Sequence, residues 1–179
     1  MLAGLAAYAE QAAPDTPLPV DDWNPPFCGA IAMRIARDGT WFHDGRPIPR
    51  PALVRLFARL LRRDADGYVL VTPVEKVAIT VEDVPFIAVA MTIGPALTFR
   101  TSAGDVVTAD ADHPLRFESD DQGFRPYVRV RGRLDARLTP ALARDLASLV
   151  QMIDGRAGIS SGNGFFTIPG ADQLFDSAS

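Results

Sequence analysis

Apolar and polar positions change their spacing several times along the chain, and each spacing points to an element. Ile31, Met33 and Ile35 alternate with Ala32 and Arg34, the period-two pattern of a half-buried strand. Asp38-Gly39 follows, a dipeptide suited to a tight turn between antiparallel strands, and Thr40-Trp41-Phe42-His43 supplies the return strand. At Pro51 the spacing becomes helical. Leu53, Leu56, Phe57 and Leu60 recur at i, i+3, i+4 and i+7, with Arg55, Arg59 and Arg62 on another face. This predicts an amphipathic helix that ends at Asp66-Gly67, with the arginine stripe as its solvated side. Residues 68–71 and 77–81 then read as short β-rich runs.

The second half reads mainly as strands, over 86–93, 96–101, 106–109, 115–117 and 127–133, and such a succession implies antiparallel pairing. Pro140 opens a second helix, capped by Thr139, with Leu142, Leu146, Leu149 and Val150 on one side. Residues 158–164 read as a turn-rich loop before a last strand that starts at Phe165. At the other end, five prolines between 14 and 26 predict an extended lead-in, preceded by a short helix packed on the domain. Some words recur. Pro51-Ala52-Leu53 and Pro140-Ala141-Leu142 each follow a Gly-Arg pair (Gly45-Arg46, Gly132-Arg133) and precede an Asp-Gly pair (Asp66-Gly67, Asp154-Gly155). This fits a structural duplication, and it equally fits the chance recurrence of residues that start and end helices everywhere.

Composition narrows the functional classes. With 179 residues, 47% hydrophobic and 22% charged, the chain is an ordinary globular protein of one domain or two small lobes. It can bury enough surface to fold without a metal or a disulfide. The net charge of −4 argues against a nucleic-acid partner, because phosphate-backbone binders are strongly basic. The one cysteine, Cys28, excludes an internal disulfide and a thiolate zinc site, and it fits a reducing, cytoplasmic setting. The first ten residues lack the positive start of a secretory leader, and nothing approaches the ~20 apolar residues of a membrane span.

Candidate chemistry divides unevenly. Gly158-Ile159-Ser160-Ser161-Gly162 satisfies G-x-S-x-G, but a nucleophile elbow needs a strand before the serine, a helix after it and a later histidine. Here a strand follows, and both histidines, His43 and His113, come earlier. Asp110, Asp112, His113 and Glu118 crowd one region, yet Pro114 and the missing loop glycine argue for a solvated acidic turn rather than a metal site. No cofactor motif is present: Gly162-Asn163-Gly164 lacks the third glycine and the helix of a dinucleotide fingerprint. The stronger signal is the alternation of Tyr127, Arg129, Arg131 and Arg133 on one strand face, with Val128 and Val130 on the other. Like charges two apart need something negative opposite, either carboxylates on a neighbouring strand or an anionic ligand. Glu75-Lys76 is the second candidate. Those two side chains diverge in extended chain, so Lys76 is expected to meet Glu82 or Asp83.

Several of these words occur together in one known family. Cys28-Gly29, Met33-Arg34-Ile35, the run Arg37 to Phe42, Leu53 to Phe57, Leu70 to Lys76, Val81 to Phe86, His113 to Arg116, Pro126-Tyr127-Val128 and Gly164-Phe165-Phe166 resemble the bacterial family known as domain of unknown function 1285. The resemblance implies an α+β fold with two related structural motifs. It implies no established activity, and the ligand-binding or signal-related role suggested for the family has little chemistry behind it.

Residues and resemblance together predict an α+β protein of two related lobes, each a helix on a small antiparallel sheet. The N-terminal helix and lead-in would occupy 1–26, the lobes 27–84 and 85–179. The leading functional expectation is a sensor or signalling accessory that holds a small anionic molecule in an inter-lobe cleft. Its ligand residues would be His43, Arg46, Glu75, Lys76, Arg129 and Arg131, with no metal, cofactor, nucleic acid or membrane involved. One alternative is an enzyme using Glu75 with His43 or His113 as acid and base. The other is a protein-interaction module with an apolar patch at Phe165-Phe166 or Trp23.

Overall fold

The computed structural model describes residues 4, 7–8, 17–120 and 123–170. Strands dominate them, and the two helices they contain in full are nine and eight residues long. Two compact units divide the chain: Met1–Pro85 with Gly132–Leu134, and Phe86–Arg131 with Asp135–Ser179. No helix among the described residues is long and apolar enough to cross a membrane.

The N-terminal unit is a six-stranded sheet in the order β3-β2-β1-β6-β5-β4. Its strands are β1 (Phe27–Ile35), β2 (Trp41–His43), β3 (Arg46–Pro47), β4 (Leu61–Asp64), β5 (Gly67–Val71) and β6 (Lys76–Val81). The expected β1–β2 hairpin forms, with Ile35 opposite Trp41 and Met33 opposite His43. Gly39 turns it at φ 86°, a conformation that a Cβ would strain. Helix α1 (Pro51–Arg59) links the two edge strands β3 and β4, buries Phe57 and Ala58, and stacks Phe57 on Trp41 with ring centroids 6.4 Å apart. Gly4, Ala7 and Tyr8 are helical, and the rest of the expected N-terminal helix lies outside the described residues.

α1 is shorter than its hydrophobic spacing predicts, and Asp66-Gly67 does not end it. Leu61 instead starts β4, which pairs Leu61 with Leu70 and Asp64 with Gly67, so Asp66 belongs to a hairpin. The carbonyl of Leu60 accepts from the amide of Val71 at 2.9 Å. A β-rich neighbour, Tyr68 to Val71, thus captures two leucines that a helix would also accommodate. Pairing energy across the sheet outweighs a helix propensity of a few tenths of a kcal/mol per residue.

The C-terminal unit holds two sheets. β7 (Phe86–Thr92), β8 (Thr98–Thr101), β9 (Val106–Thr108), β10 (Leu115–Asp120), β11 (Gly123–Arg131) and β12 (Leu134–Leu138) stand in the order β10-β11-β12-β7-β8-β9. Helix α2 (Pro140–Ala147) packs on β11 and β7, and Thr139 Oγ1 caps it by accepting from the amide of Leu142 at 3.4 Å. Leu149 and Val150 lie past its end. β13 (Gln151–Ile153), β14 (Arg156–Ser161) and β15 (Gly164–Thr167) make a separate antiparallel sheet. Asp154 and Gly155 join the first two at φ 49° and 73°, the doubly positive geometry of a type I′ turn.

Two expectations are overturned here. Residues 158–164 are the paired end of β14 and a tight turn, not a loose loop. Gly158 is there for space: a Cβ would stand 2.5 Å from Phe165 Cζ and 2.6 Å from the Phe166 carbonyl oxygen. The α+β fold of two helix-on-antiparallel-sheet lobes also fails. The protein is mostly sheet, and both large sheets are mixed, because β1 runs parallel to β6 and β12 parallel to β7. Turn, proline-started helix and three-strand meander follow one another in both units. In the N-terminal unit the meander continues the main sheet, whereas in the C-terminal unit it stands apart. Alternation in a sequence marks a strand without naming its partner or direction.

Candidate functional site

β11 turns Val128 and Val130 to the core and holds Arg125, Tyr127, Arg129 and Arg131 on its other face. Register extends this face to β10, where Arg116 stands opposite Tyr127 and Glu118 opposite Arg125. On β12, Asp135 and Arg137 share a side, and the bond from Arg129 to Asp135 places them on the same face. Five arginines and two carboxylates are thereby gathered on one sheet surface. Asp105, in the β8–β9 turn, adds a third carboxylate by accepting from Arg131 Nη1 at 2.6 Å.

Asp135 is the hub, and it is 6% exposed. Arg129 Nε donates to its Oδ1 at 2.5 Å, and Arg116 Nη2 lies 3.4 Å from its Oδ2. Arg116 also pairs with Glu118, whose carboxylate accepts from the Tyr127 hydroxyl at 3.5 Å and lies 3.8 Å from Arg125 Nη2. The Arg116 guanidinium covers the Tyr127 ring at 4.1 Å, which keeps that tyrosine buried on a polar face. Arg131 sits 5.1 Å over the Phe86 ring. Carboxylates and rings thus hold half-exposed guanidiniums in fixed orientations. Arg133, expected in the same row, lies in the turn beyond β11.

The other expected ligand residues lie in the N-terminal unit and form two groups. His43 stands opposite Arg46 across the β2–β3 ladder, with its Nδ1 3.4 Å from Asp44 Oδ2. Lys76 starts β6, and Glu75 stands just before it. Lys76 meets neither Glu82 nor Asp83, the partners expected for it; its Nζ donates to Asp64 Oδ2 at 2.8 Å. Asp64 also takes a two-pronged contact from Arg62 at 2.6 and 3.1 Å, and Arg62 Nη1 donates to the carbonyls of Val20 and Trp23. The Arg62 hydrogen bond, with help from Lys76, holds the Asp64 carboxyl below its ordinary range. Glu82 is held low by the amide of Arg37 and by Arg34.

Register keeps the two groups apart. His43 pairs with Met33 and Lys76 with Phe27, so their partners on β1 are six residues apart. At ~3.3 Å per residue that is about 20 Å along the strand. His43 with Arg46 and Glu75 with Lys76 therefore stand at different places on the sheet.

Ser160, the serine of G-x-S-x-G, is exposed one residue before the end of β14 and bonds Gln151. No strand-to-helix elbow surrounds it. Ser161 is buried, accepts from the Leu97 amide at 2.8 Å and donates to the Ala109 carbonyl at 2.7 Å, which ties β14 to the main sheet. The Asp110 carboxylate accepts from the amides of Asp112 and His113 and lies 3.1 Å from His113 Nδ1, and the His113 amide holds its pKa low. Among the described residues no group of three His, Cys, Asp or Glu could hold a metal. Phe165, Phe166 and Trp23 are half-buried, and the large exposed apolar side chains include Phe27, Val74, Ile93 and Val106 instead. The sequence reading missed Arg116, Arg125 and Asp135. Parity along β11 could have added Arg125, but the other two depend on register between strands.

The model of the family described as "Domain of unknown function (DUF1285), N-terminal domain" matches residues 18–84, and that of "Protein of unknown function (DUF1285), C-terminal domain" matches 85–168. Among solved structures, the chain is similar to a DUF1285 family protein from Silicibacter pomeroyi DSS-3, with 44% identity and a TM-score of 0.86 over 96% of this chain and 98% of that one. It is also similar to a DUF1285 family protein from Shewanella baltica OS155, with 27% identity and a TM-score of 0.56 over 66% of this chain and 91% of the other. A comparison with curated proteins gives no match. With both halves matched by the models of one family and a solved relative aligned along nearly its whole length, the chain belongs to the DUF1285 family, whose function is unknown.

Proposed function

We propose that this protein binds a small anionic molecule, of the carboxylate or phosphate class, on the arginine face of the C-terminal unit, as a bacterial cytoplasmic sensor or signalling accessory. The observation that carries the reading is the set of half-exposed guanidiniums, Arg116, Arg129 and Arg131, that Glu118, Asp135, Asp105 and the Tyr127 and Phe86 rings hold in place on that face. Guanidiniums already oriented by carboxylates and rings lose little freedom on binding an added anion. Arg129 and Arg131 are the binding residues, with Arg116, the more exposed of the three, at the rim. His43, Arg46, Glu75 and Lys76 remain candidates for the same anion within the N-terminal unit.

Thermal melting in phosphate, nucleotides and dicarboxylates tests this. A ligand a hundredfold above its Kd should raise the melting temperature by about 5 °C or more. Arg131→Ala, compared with its own ligand-free melt, should lose the shift. A shift that survives in His43→Ala and Glu75→Gln would assign the anion to the C-terminal unit alone. No shift across the anion panel overturns the reading.

A further inference from the structure

We propose that the open edge of β9 is a self-association surface, on which a second copy of this chain adds its own β9 antiparallel and joins the two sheets. β9 (Val106–Thr108) ends the six-stranded sheet of the C-terminal unit. The amide of Ala109 bonds the carbonyl of Leu97, and the amide of Thr101 bonds that of Asp105, each at 2.8 Å. Hydrogen-bonded and unbonded pairs alternate along an antiparallel ladder. Residues 105, 107 and 109 therefore turn their backbone groups to β8, and Val106 and Thr108 turn theirs outward, where the sheet has no further strand.

Sheet edges are ordinarily guarded by charge, proline or bulges, because an exposed row of amides and carbonyls pairs with other chains. The other three edges of the two six-stranded sheets follow that rule. β3 carries Arg46 and Pro47, β4 carries Arg62, Arg63 and Asp64, and β10 carries Arg116 and Glu118. β9 has no charge and no proline, and its register with β8 runs without a bulge. Val106 is 62% exposed, the highest value of any large apolar side chain within a strand. The strand is also held ready. The Thr101 hydroxyl donates to Asp105 Oδ2 and accepts from the Asp105 amide, both at 3.1 Å. At the other end the Ser161 hydroxyl joins Leu97 to Ala109, and the Thr98 and Thr108 hydroxyls bond at 3.0 Å. An edge fixed in this way loses little freedom on pairing.

A second copy fits this edge in both its backbone and its charges. About a two-fold axis at Val107, Val106 stands opposite Thr108 of the second copy and Thr108 opposite Val106 of the second copy, so the outward amides and carbonyls of both edges all find partners. These are β-branched pairs, favourable across strands. Arg100 stands opposite Val106 on β8, whereas Asp110 and Asp112 follow Thr108 in the chain. Antiparallel pairing reverses that order in the second copy and brings its two aspartates to the end where Arg100 stands, while a parallel copy would set like charge beside like. Asp105 falls opposite Ala109 of the second copy, and its own charge is already met by Arg131. β9 spans only about 10 Å, so its pairing buries less than the ~1,200 Å² at which stable interfaces begin. The dimer is therefore one that forms at high protein concentration.

Sedimentation velocity of the full chain between about 10 μM and about 1 mM, at low and physiological salt, is the experiment. A monomer–dimer equilibrium that weakens with salt is expected. Val106→Pro removes an amide that the internal ladder does not use, so it should raise the dissociation constant about tenfold or more at unchanged melting temperature. Arg100→Glu, which leaves every backbone bond in place, should weaken the dimer and abolish its salt dependence. Hydrogen exchange followed by NMR should show the amides of Val106 and Thr108 protected as concentration rises. A chain that stays monomeric at low salt, or dimerisation unchanged in either folded variant, overturns the proposal. So does a dimer in which those two amides exchange as fast as in the monomer, and so does a free peptide of alternating valine and threonine that binds more tightly than the second copy.

Discussion

Arg129 Nε donates to Asp135 Oδ1 across 2.5 Å, and the acceptor is nearly buried while the donor side chain is 32% exposed. The acid half of this pair therefore has no substitute in water, and the basic half has one. Breaking a wholly buried pair costs about 3–5 kcal/mol, and hydration of the arginines discounts this to about 1–3 kcal/mol for Asp135→Ala. Arg116→Ala, removing a 43% exposed side chain, should cost less than about 1 kcal/mol. Urea unfolding of the two variants gives the comparison, and equal stabilities would show that Asp135 is not the hub.

Asp64 sets an acid limb of stability. Its folded-state pKa is lowered from 3.8, so the unfolded chain takes up the proton first as the pH falls. The contribution is complete above about pH 4 and is lost as the pH falls through the lower folded-state value. Wild type should thus exceed Asp64→Asn in stability near neutrality, with the gap narrowing below about pH 4. Urea titrations at both pH values measure it. Because Arg62 bonds both Asp64 and the carbonyls of Val20 and Trp23, faster proteolysis between residues 17 and 26 is expected in the same variant.

The adjacent serines of β14 should behave in opposite ways. Ser161→Ala leaves the Leu97 amide and the Ala109 carbonyl without the hydroxyl that joins them, at a cost of about 2–4 kcal/mol. Ser160→Ala, on the exposed side, should stay within about 0.5 kcal/mol of wild type. Melting curves of both decide whether this pair of residues serves the fold or, if Ser160 proves the costly one, something else.

How much was legible depends on the range of the interaction. Strand alternation at Ile31 to Ile35, the Asp38-Gly39 hairpin, both proline-started helices, the Thr139 cap and the parity of Arg129 and Arg131 each follow from a few neighbouring residues. The helix ends were not legible. Leu60 and Leu61 suit a helix as well as a strand, and the choice was made by β5, which is itself a distant decision of the sheet. Gly158 misled in a similar way: a glycine that suggests flexibility instead makes room for Phe165 and the Phe166 carbonyl.

By itself, the sequence determined where backbone geometry changes and which side chains share a face, because steric limits on φ and ψ and the two periodicities are local. Tertiary structure alone decided that β1 runs parallel to β6 and β12 to β7, and that Asp135, Asp105 and Asp64 are the acids that receive Arg129, Arg131 and Lys76. Those outcomes depend on register between strands brought together from distant parts of the chain. In such a ladder a shift of one residue changes which charge meets which.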